Sequence, residues 1–280
     1  MKVWAHTLVK NEERYLWFAV KSVVNYVDKI LLWDTGSTDK TVDIIKLLKK
    51  DHPGKIDFKE VGDVDINEFT EVRQEMLEES KCDWVMILDG DEVWWDKSIK
   101  NARKIIEEEG GGLDSLVHKY YNVVGDIYHY QEEKAGKYNI DSKVGHFNIR
   151  FLNRKITKLH FSKPHGKQGI YDEKNVLIQE KDPNRRLFMK DYYMHFTNMI
   201  RSSSLEKDRG VIKRNIKYKY ELGLSFPKNF KYPEIFSKKA PDLIPDPWET
   251  RSLAYFVKAL VQTPPKMIKR RIKNDEKVGY

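Results

Sequence analysis

The sequence predicts an α/β fold, a mainly parallel sheet flanked by helices, followed by a C-terminal helical extension. Two observations predict it. Over the first hundred residues short apolar runs alternate with amphipathic stretches at strand–helix spacing. Three of the four apolar runs then end in polar, chemically capable residues: Lys10-Asn11, Asp34-Thr35-Gly36 and Asp89-Gly90-Asp91. Strands of such sheets line a ligand crevice with the loops at their carboxyl ends.

Lys2–Leu8 reads as the first strand. Asn11 is placed to cap a helix with Glu12 and Glu13 in its first turn, the sign favoured at a positive helix end. Leu16, Ala19, Val20, Val23, Val24 and Val27 recur at helical spacing. Ile30–Trp33 is a second strand, broken by a turn in which Ser37, Thr38 or Asp39 caps a helix carrying Val42, Ile45 and Leu48 on one face. Ile56–Val61 is a third strand and Asn67–Ser80 a third helix. Trp84–Leu88 is a fourth, fully apolar strand. Asp96–Glu109 is helical and stops at Gly110-Gly111-Gly112. Beyond it Leu113–Tyr121, His146–Asn153 and Leu187–Phe196 read as longer aromatic and β-branched strands. Ser202–Leu222 reads as helix, and the proline-rich 226–247 as an extended surface segment. Thr250–Val261 forms a short amphipathic helix before Pro264-Pro265 and the basic run 266–273.

Bulk properties narrow the function classes. With 40% hydrophobic and 34% charged residues the chain has a globular composition. The net charge of +8 suits an anionic partner, although a solvated lysine-rich surface explains the total equally well. The single cysteine, Cys82, allows no intramolecular disulfide and fits a reducing compartment. The first residues hold no apolar core of signal-peptide length, and no stretch approaches the ~20 apolar residues of a spanning helix. A cytoplasmic location is therefore expected, with possible attachment to the inner face of the membrane. Leu253, Phe256, Val257 and Leu260 make an apolar helical stripe, and Lys266, Lys269, Arg270, Arg271 and Lys273 follow it. Such a pairing can lie on an anionic membrane, or pack its stripe on the domain and trail a charged end.

The strongest chemical feature is Asp89-Gly90-Asp91-Glu92 directly after a fully apolar strand. Carboxylates gathered there can hold a hard divalent cation, which takes oxygen ligands from protein and substrate phosphate. Gly90 permits close backbone approach. Asp34, at the end of another strand, can accept hydrogen bonds from a nucleobase or ribose. Arg73 can neutralise phosphate, or pair with Glu71 or Asp65 on the surface.

The ordered set Asn11-Glu12-Glu13, Asp34-Thr35-Gly36-Ser37-Thr38-Asp39 and Leu88-Asp89-Gly90-Asp91-Glu92 resembles the family 2 glycosyltransferases of the GT-A fold, the Rossmann-like nucleotide-diphospho-sugar transferases. The likeness is close over residues 1–100 and fainter to about 215. It implies a catalytic domain over 1–200, with a nucleotide-binding half (1–112) and an acceptor-binding half (113–200), and a helical, basic extension over 201–280. It implies Mn²⁺ or Mg²⁺ and a nucleotide-sugar donor, UDP-linked by the family's usual habit. Inverting transfer to a glycan, lipid-linked or other hydroxyl acceptor follows.

Residue by residue, the resemblance implies that Thr7, Val9, Asn11 and Glu12 flank the base, with Asp34 on uracil or ribose. Arg73 lies near the diphosphate, and Asp89 and Gly90 contribute to the donor site. Asp91, assisted by Asp89, is the implied metal contact. Met194-His195-Phe196 is similar to the family's "HYG" element, which makes His195 a third candidate ligand. Arg150 matches the arginine of an "xxRLFR" strand, and His165 the histidine of an "HE" feature. Both are assigned to acceptor or phosphate. Gln74 stands where Asn is usual and Gly166 where Glu is expected. Without that Glu no base matches a motif. Asp91 and Glu92 belong to the catalytic group, but Glu92 lies close to the metal, which leaves Asp172 and Glu173 as the candidate bases.

Three other classes compete. A nucleotidyltransferase would place a glycine-rich loop after the first strand, where this chain reads Leu8-Val9-Lys10-Asn11-Glu12-Glu13. A nucleic-acid-binding module would interleave its basic residues with aromatics, and its acidic loops would repel phosphate. A catalytically inactive GT-A relative that only binds nucleotide, sugar or a partner fits Gln74 and Gly166 but not the intact Asp34, Asp89 and Asp91.

Overall fold

The computed structural model describes residues 1–199 and 220–272. Strands β1 (Val3–Val9), β2 (Lys29–Asp34), β3 (Ile56–Glu60) and β4 (Trp84–Ile87) are parallel, in the spatial order β3-β2-β1-β4. Helices α1 (Leu16–Val23), α2 (Thr41–Asp51), α3 (Glu68–Glu79) and α4 (Asp96–Glu109) alternate with them. Successive strand residues point to opposite layers. Val3, Ala5, Val9, Ile30, Leu32, Trp84 and Met86 share one core with the apolar faces of α1, α2 and α4. Leu8, Leu31 and Trp33 pack with Val72 and Met76 of α3 on the other side. Each fully buried aliphatic side chain contributes roughly 2 kcal/mol, so a one-residue slip of β1 or β2 would forfeit a whole layer.

The sheet continues without interruption past residue 112. It adds β5 (Glu92–Trp94), β6 (Ser115–Val124), β7 (Asp126–Tyr130), β10 (Phe147–Asn153), β13 (Arg186–His195) and β14 (Leu224–Ser225). Two hairpins sit beside it: β8 (Tyr138–Ile140) with β9 (Lys143–Gly145), and β11 (His160–Ser162) with β12 (Gly169–Tyr171). β10 runs antiparallel to β4, while β13 runs parallel to β6 and antiparallel to β5. From β1 the chain crosses to β2 on one side, and β4 lies on the other. The crevice at that switch point is framed by the loops after β1, β2 and β4.

Three local expectations are corrected. Asn11 does not cap α1, which begins at Leu16. Its backbone is left-handed (φ 53°), and its side-chain oxygen accepts a hydrogen bond from the Thr38 amide at 2.7 Å. The 226–247 segment is not a surface strap throughout, because Ile235, Phe236 and Ile244 are buried in the main core. Helix α5 (Leu253–Ile272) runs through Pro264 and Pro265 instead of stopping before them. The prolines remove two helix hydrogen bonds, but contacts on either side hold the turn. The Thr263 hydroxyl donates to the Ala259 carbonyl (2.7 Å) and accepts from the Leu222 amide (2.9 Å). The helix expected over 202–222 lies outside the described residues as far as 219, and Tyr220–Leu222 are irregular. Among the described residues no helix is long and apolar enough to cross a membrane.

Candidate active site

The three loops of the crevice are stitched together by short side chains. Asp34 folds its own turn, accepting from the amides of Gly36 and Ser37 at 2.9 Å each and from the Ser37 hydroxyl. Gly36 adopts φ 81°, a conformation costly for other residues. The Asn11 amide donates to Ser37 Oγ (2.8 Å) and the Glu12 amide to Thr41 Oγ1 (2.8 Å), which ties the β1 loop to the β2 loop. Asp39 accepts from the Thr41 amide at 2.9 Å, but the residue at the cap position is Lys40, so none of Ser37, Thr38 and Asp39 takes that position. On the other side Gly90 lets the β4 loop close on β1. A Cβ there would lie 2.9 Å from Val9 Cγ1 and 3.2 Å from Glu12 Cγ. Thr7 is wholly buried on β1 beneath these loops.

Beside this frame lies a cluster of three carboxylates, two guanidiniums and an imidazole. Arg73, from α3, reaches Asp89 Oδ1 at 3.1 Å, so it takes neither of the surface partners Glu71 and Asp65. Arg150, fully buried on β10, donates from Nη2 to Asp89 Oδ2 (3.1 Å) and to Glu92 Oε1. Strand pairing delivers the imidazole. His195 stands opposite Glu92 in the β5–β13 ladder, and the Phe196 amide donates to the Asp91 carbonyl at 3.0 Å. Its Nε2 lies 3.5 Å from Asp91 Oδ2 and 4.0 Å from Glu92 Oε1. One ligand atom each from Asp89, Glu92 and His195 falls within 4.8 Å of the others. Glu92 thus joins Asp89 and His195 in the compact triad, while Asp91 braces the imidazole.

The electrostatics follow from burial set against these neighbours. Burial pushes the Glu92 carboxyl up to about 7, and Arg150 only partly opposes it. Burial also works against ionised Asp89, but Arg150 and then Arg73 outweigh it and hold its carboxyl below the usual range. For His195 burial favours the neutral ring, yet Asp91 and then Glu92 prevail and raise its pKa. Three carboxylates thus face two guanidiniums and an imidazole that Asp91 and Glu92 draw towards its charged form.

The remaining predicted residues lie around this centre. His165 packs its ring 4.3 Å from that of Phe69, whose other neighbour is the Arg73 guanidinium at 5.3 Å. Gln74, the departure from Asn, spends its carbonyl oxygen on the Phe161 amide of β11 (2.9 Å). Asp172 is committed to its own loop. It accepts from the amides of Lys174 and Val176 and from Lys181 Nζ at 2.6 Å, and Lys181 chiefly holds its carboxyl down at about 2. Glu173 beside it is exposed. Two tyrosines escaped the sequence reading. Tyr193 accepts from Arg150 Nε (3.2 Å) and stacks on Trp94 at 4.7 Å, and Tyr120 packs edge-on to His195 at 5.1 Å. The signal was alternation, since Tyr193 lies two residues before His195 and shares its strand face. On the opposite face, Tyr121 and Tyr192 help line a separate cavity of about 730 Å³ with Trp95, Phe230, Tyr232 and Trp248.

The profile of the family described as glycosyl transferase family 2 matches residues 6–173, more than half of the chain. The chain belongs to that family. No curated protein sequence matches it. Similar solved structures include S. aureus TarS 1–349 in complex with UDP-GlcNAc, at 17% identity and TM-score 0.49, covering 70% of this chain and 58% of that one. The mannosyltransferase PcManGT from Pyrobaculum calidifontis, in complex with GDP-Man and Mn²⁺, has 14% identity and TM-score 0.38, covering 55% and 45%. Glucosyl-3-phosphoglycerate synthase from Mycobacterium tuberculosis has 17% identity and TM-score 0.31, covering 43% of each chain. This chain spans about three-fifths of the length of TarS 1–349, 61% in one of its crystal structures.

As a family 2 glycosyltransferase the chain has the GT-A α/β fold, its mixed sheet flanked by helices and followed by a helical extension. Its acidic cluster also fits a divalent cation. Glu92 Oε2 and His195 Nδ1 are buried with no hydrogen-bond partner among the described residues, a costly state for polar atoms. Carboxylate oxygens with one imidazole form a donor set for a divalent cation.

Proposed function

We propose that this chain transfers a sugar from a UDP-sugar to a hydroxyl of a glycan or lipid-linked acceptor, with inversion at the anomeric carbon. The acceptor oxygen bonds to the anomeric carbon as the bond to the diphosphate oxygen breaks. The hydroxyl proton passes to a carboxylate, and UDP leaves with the electron pair. Asp89, Glu92 and His195 would hold Mn²⁺ or Mg²⁺, with Asp91 bracing the imidazole or sharing the metal. When bound, the cation supplies Lewis-acid stabilisation of the leaving diphosphate. Arg73 and Arg150 add fixed positive charge beside it. The stitched loops of Thr7, Val9, Asn11, Glu12 and Asp34 form the wall for base and ribose, with Gly90 closing it. Arg150 and His165 are assigned to the phosphate and acceptor side. Because Asp172 is engaged in its loop, Glu173 is the candidate base whose carboxylate is open to a hydroxyl.

The observation that carries this reading is the triad of Asp89, Glu92 and His195, with ligand atoms within 4.8 Å, at the mouth of the switch-point crevice. Calorimetry of the full chain with UDP and GDP, with and without Mn²⁺, tests it. Metal-dependent UDP binding that Asp89→Ala weakens at least tenfold is expected, and absence of any metal-dependent nucleotide binding overturns it. One observation favours a second reading, a catalytically inactive relative. Arg150 already sits on Asp89 and Glu92 as a counter-cation. Nucleotide binding that persists in chelator, with no donor hydrolysis, would select it.

A further inference from the structure

Helix α5 presents two unlike faces. Tyr255, Ala259 and Thr263 are buried against the body. Lys266 and Arg270 continue that face, the first donating to the Tyr220 carbonyl at 2.8 Å and the second to the Glu221 carboxylate at 2.6 and 2.7 Å. Round the axis from them lie Leu253, Val257, Leu260, Val261, Ile268 and Ile272, exposed by 78, 55, 50, 71, 56 and 79%. At helical spacing these positions form one stripe along the whole helix, roughly 30 Å long. Single exposed aliphatic residues are ordinary on a protein surface, but a continuous stripe marks a surface that meets something apolar.

We propose that this stripe seats α5 in the interface of an anionic lipid bilayer, with the helix lying in the membrane plane. The charges beside the stripe decide the occupant. Lys269 flanks it, Arg271 stands at its far end, Lys258 sits over the Tyr220 ring at 4.9 Å, and the helix contains no acidic residue. Lysine stems can cover apolar surface while their ammonium groups reach lipid phosphate. A second copy is a poorer partner, since a two-fold pairing of stripe on stripe sets these cations against their own images. The basic run contributes less than its sequence promises, because Lys266 and Arg270 are spent on the body of the protein. The apolar face makes the insertion.

The surface holds no residue of the acidic cluster, so its test is independent of the proposed transfer reaction. The full chain is sedimented with vesicles of phosphatidylcholine alone and of phosphatidylcholine with phosphatidylglycerol. Binding to the anionic vesicles that weakens with salt is expected. V257D with L260D should reduce it about tenfold or more, and K269E with R271E should remove the preference for phosphatidylglycerol. Circular dichroism and UDP–Mn²⁺ calorimetry on the same proteins report folding and the donor site separately. Should V257D with L260D fail to fold, L260W gives a second readout, a blue shift of its emission on anionic vesicles. Failure of the full chain to bind anionic vesicles, equal binding by the aspartate variant, or no shift in L260W overturns the proposal. So does a lipid-free dimer that V257D with L260D dissolves.

Discussion

Two of the buried ion clusters, one around Glu221 and one around Asp89, are built to different rules. Around Glu221 the groups are matched. Both carboxylate oxygens accept from Arg270, and one also accepts from Gln131 Nε2 at 2.6 Å. Gln131 accepts from Asn122, which accepts from Asn198, each at 2.7 Å. Around Asp89 the carboxylates outnumber the guanidiniums, one of them is pushed up to about 7, and Glu92 Oε2 and His195 Nδ1 are buried with no hydrogen-bond partner among the described residues. The first arrangement clamps the end of α5 to the sheet edge. The second keeps a buried carboxylate oxygen and a ring nitrogen unsatisfied where a ligand can meet them. Satisfaction, not charge content, separates a structural ion cluster from a binding one.

The largest effect expected from this contrast is on stability. Arg270→Met removes both Arg270 hydrogen bonds from buried Glu221 and should cost about 3–5 kcal/mol in urea unfolding, with UDP affinity per folded molecule unchanged. A loss below about 1 kcal/mol would mean that the matched cluster is not the clamp its geometry describes.

Next in size is a pH effect, and here the guanidiniums of the unmatched cluster reach into the core. His6 is pushed down to about 3 by burial, then by Arg73 and Arg154. His118, whose two ring nitrogens have no hydrogen-bond partner among the described residues, is pushed down to about 3 by burial and then by Arg150. Both rings are neutral in the fold, whereas the unfolded chain takes protons near 6.5. Their contribution is therefore present above about pH 6.5 and is lost as pH falls towards 3, by about 2 kcal/mol per ring at pH 5. Glu92 has the opposite sign, because its raised pKa makes the fold bind a proton more tightly between about 7 and 4.5. It should offset roughly one ring, and the raised His195 pKa acts in the same direction, leaving a net loss of at most about 2 kcal/mol at pH 5. Denaturant midpoints from pH 7 to pH 5 check this, and stability that rises over the window would break it.

Glu92→Gln sharpens the same contrast with a smaller change. Removing one surplus carboxylate should leave the fold as stable or about 1 kcal/mol more so at pH 7. It should weaken metal-dependent UDP binding about tenfold or more, as loss of a ligand implies. Because the offset disappears, the acid sensitivity of the variant should be steeper than that of the parent chain. If Glu92→Gln destabilises as Arg270→Met does, the two clusters are of one kind.

How much of this was legible in the sequence depends on whether the signal is local. The parallel half was readable because β1, β2 and β4 are apolar runs with polar ends, and Asp34, Asp89 and His195 stand where a strand stops. Arg150 was named from its motif, but its contacts with Asp89 and Glu92, like the place of Tyr193, needed the register of β10 and β13, which the sequence does not state. With that register, a His at the site places the residue two earlier on the same face. Asn11 looked like a cap because caps are judged from local chemistry, yet its partner is the Thr38 amide in the next loop. The continuation of α5 through two prolines was hidden for the same reason, since Glu221 and Leu222 supply the compensating contacts from another segment. The base candidates were chosen by residue type alone, and the Asp172 pairing with Lys181 is a tertiary contact.

The smallest expected effect isolates the loops from the metal ligands. Gly90 has no positive φ, so alanine is allowed by the backbone and meets only side chains, Val9 Cγ1 at 2.9 Å and the Glu12 stem at 3.2 and 3.3 Å. These must give way by a few tenths of an ångström, and overpacking of this kind costs about 1–2 kcal/mol. The carboxylates of Asp89, Glu92 and His195's ring are not in the contact, so Mn²⁺ affinity should stay the same while UDP affinity falls a few-fold. Trimming the opposing side chain should relieve the strain. In a double-mutant cycle, Gly90→Ala with Val9→Ala should recover most of the UDP affinity lost by Gly90→Ala alone. Equal losses of Mn²⁺ and UDP affinity, with no rescue by Val9→Ala, would mean that the loop closure and the charge cluster act as a single unit.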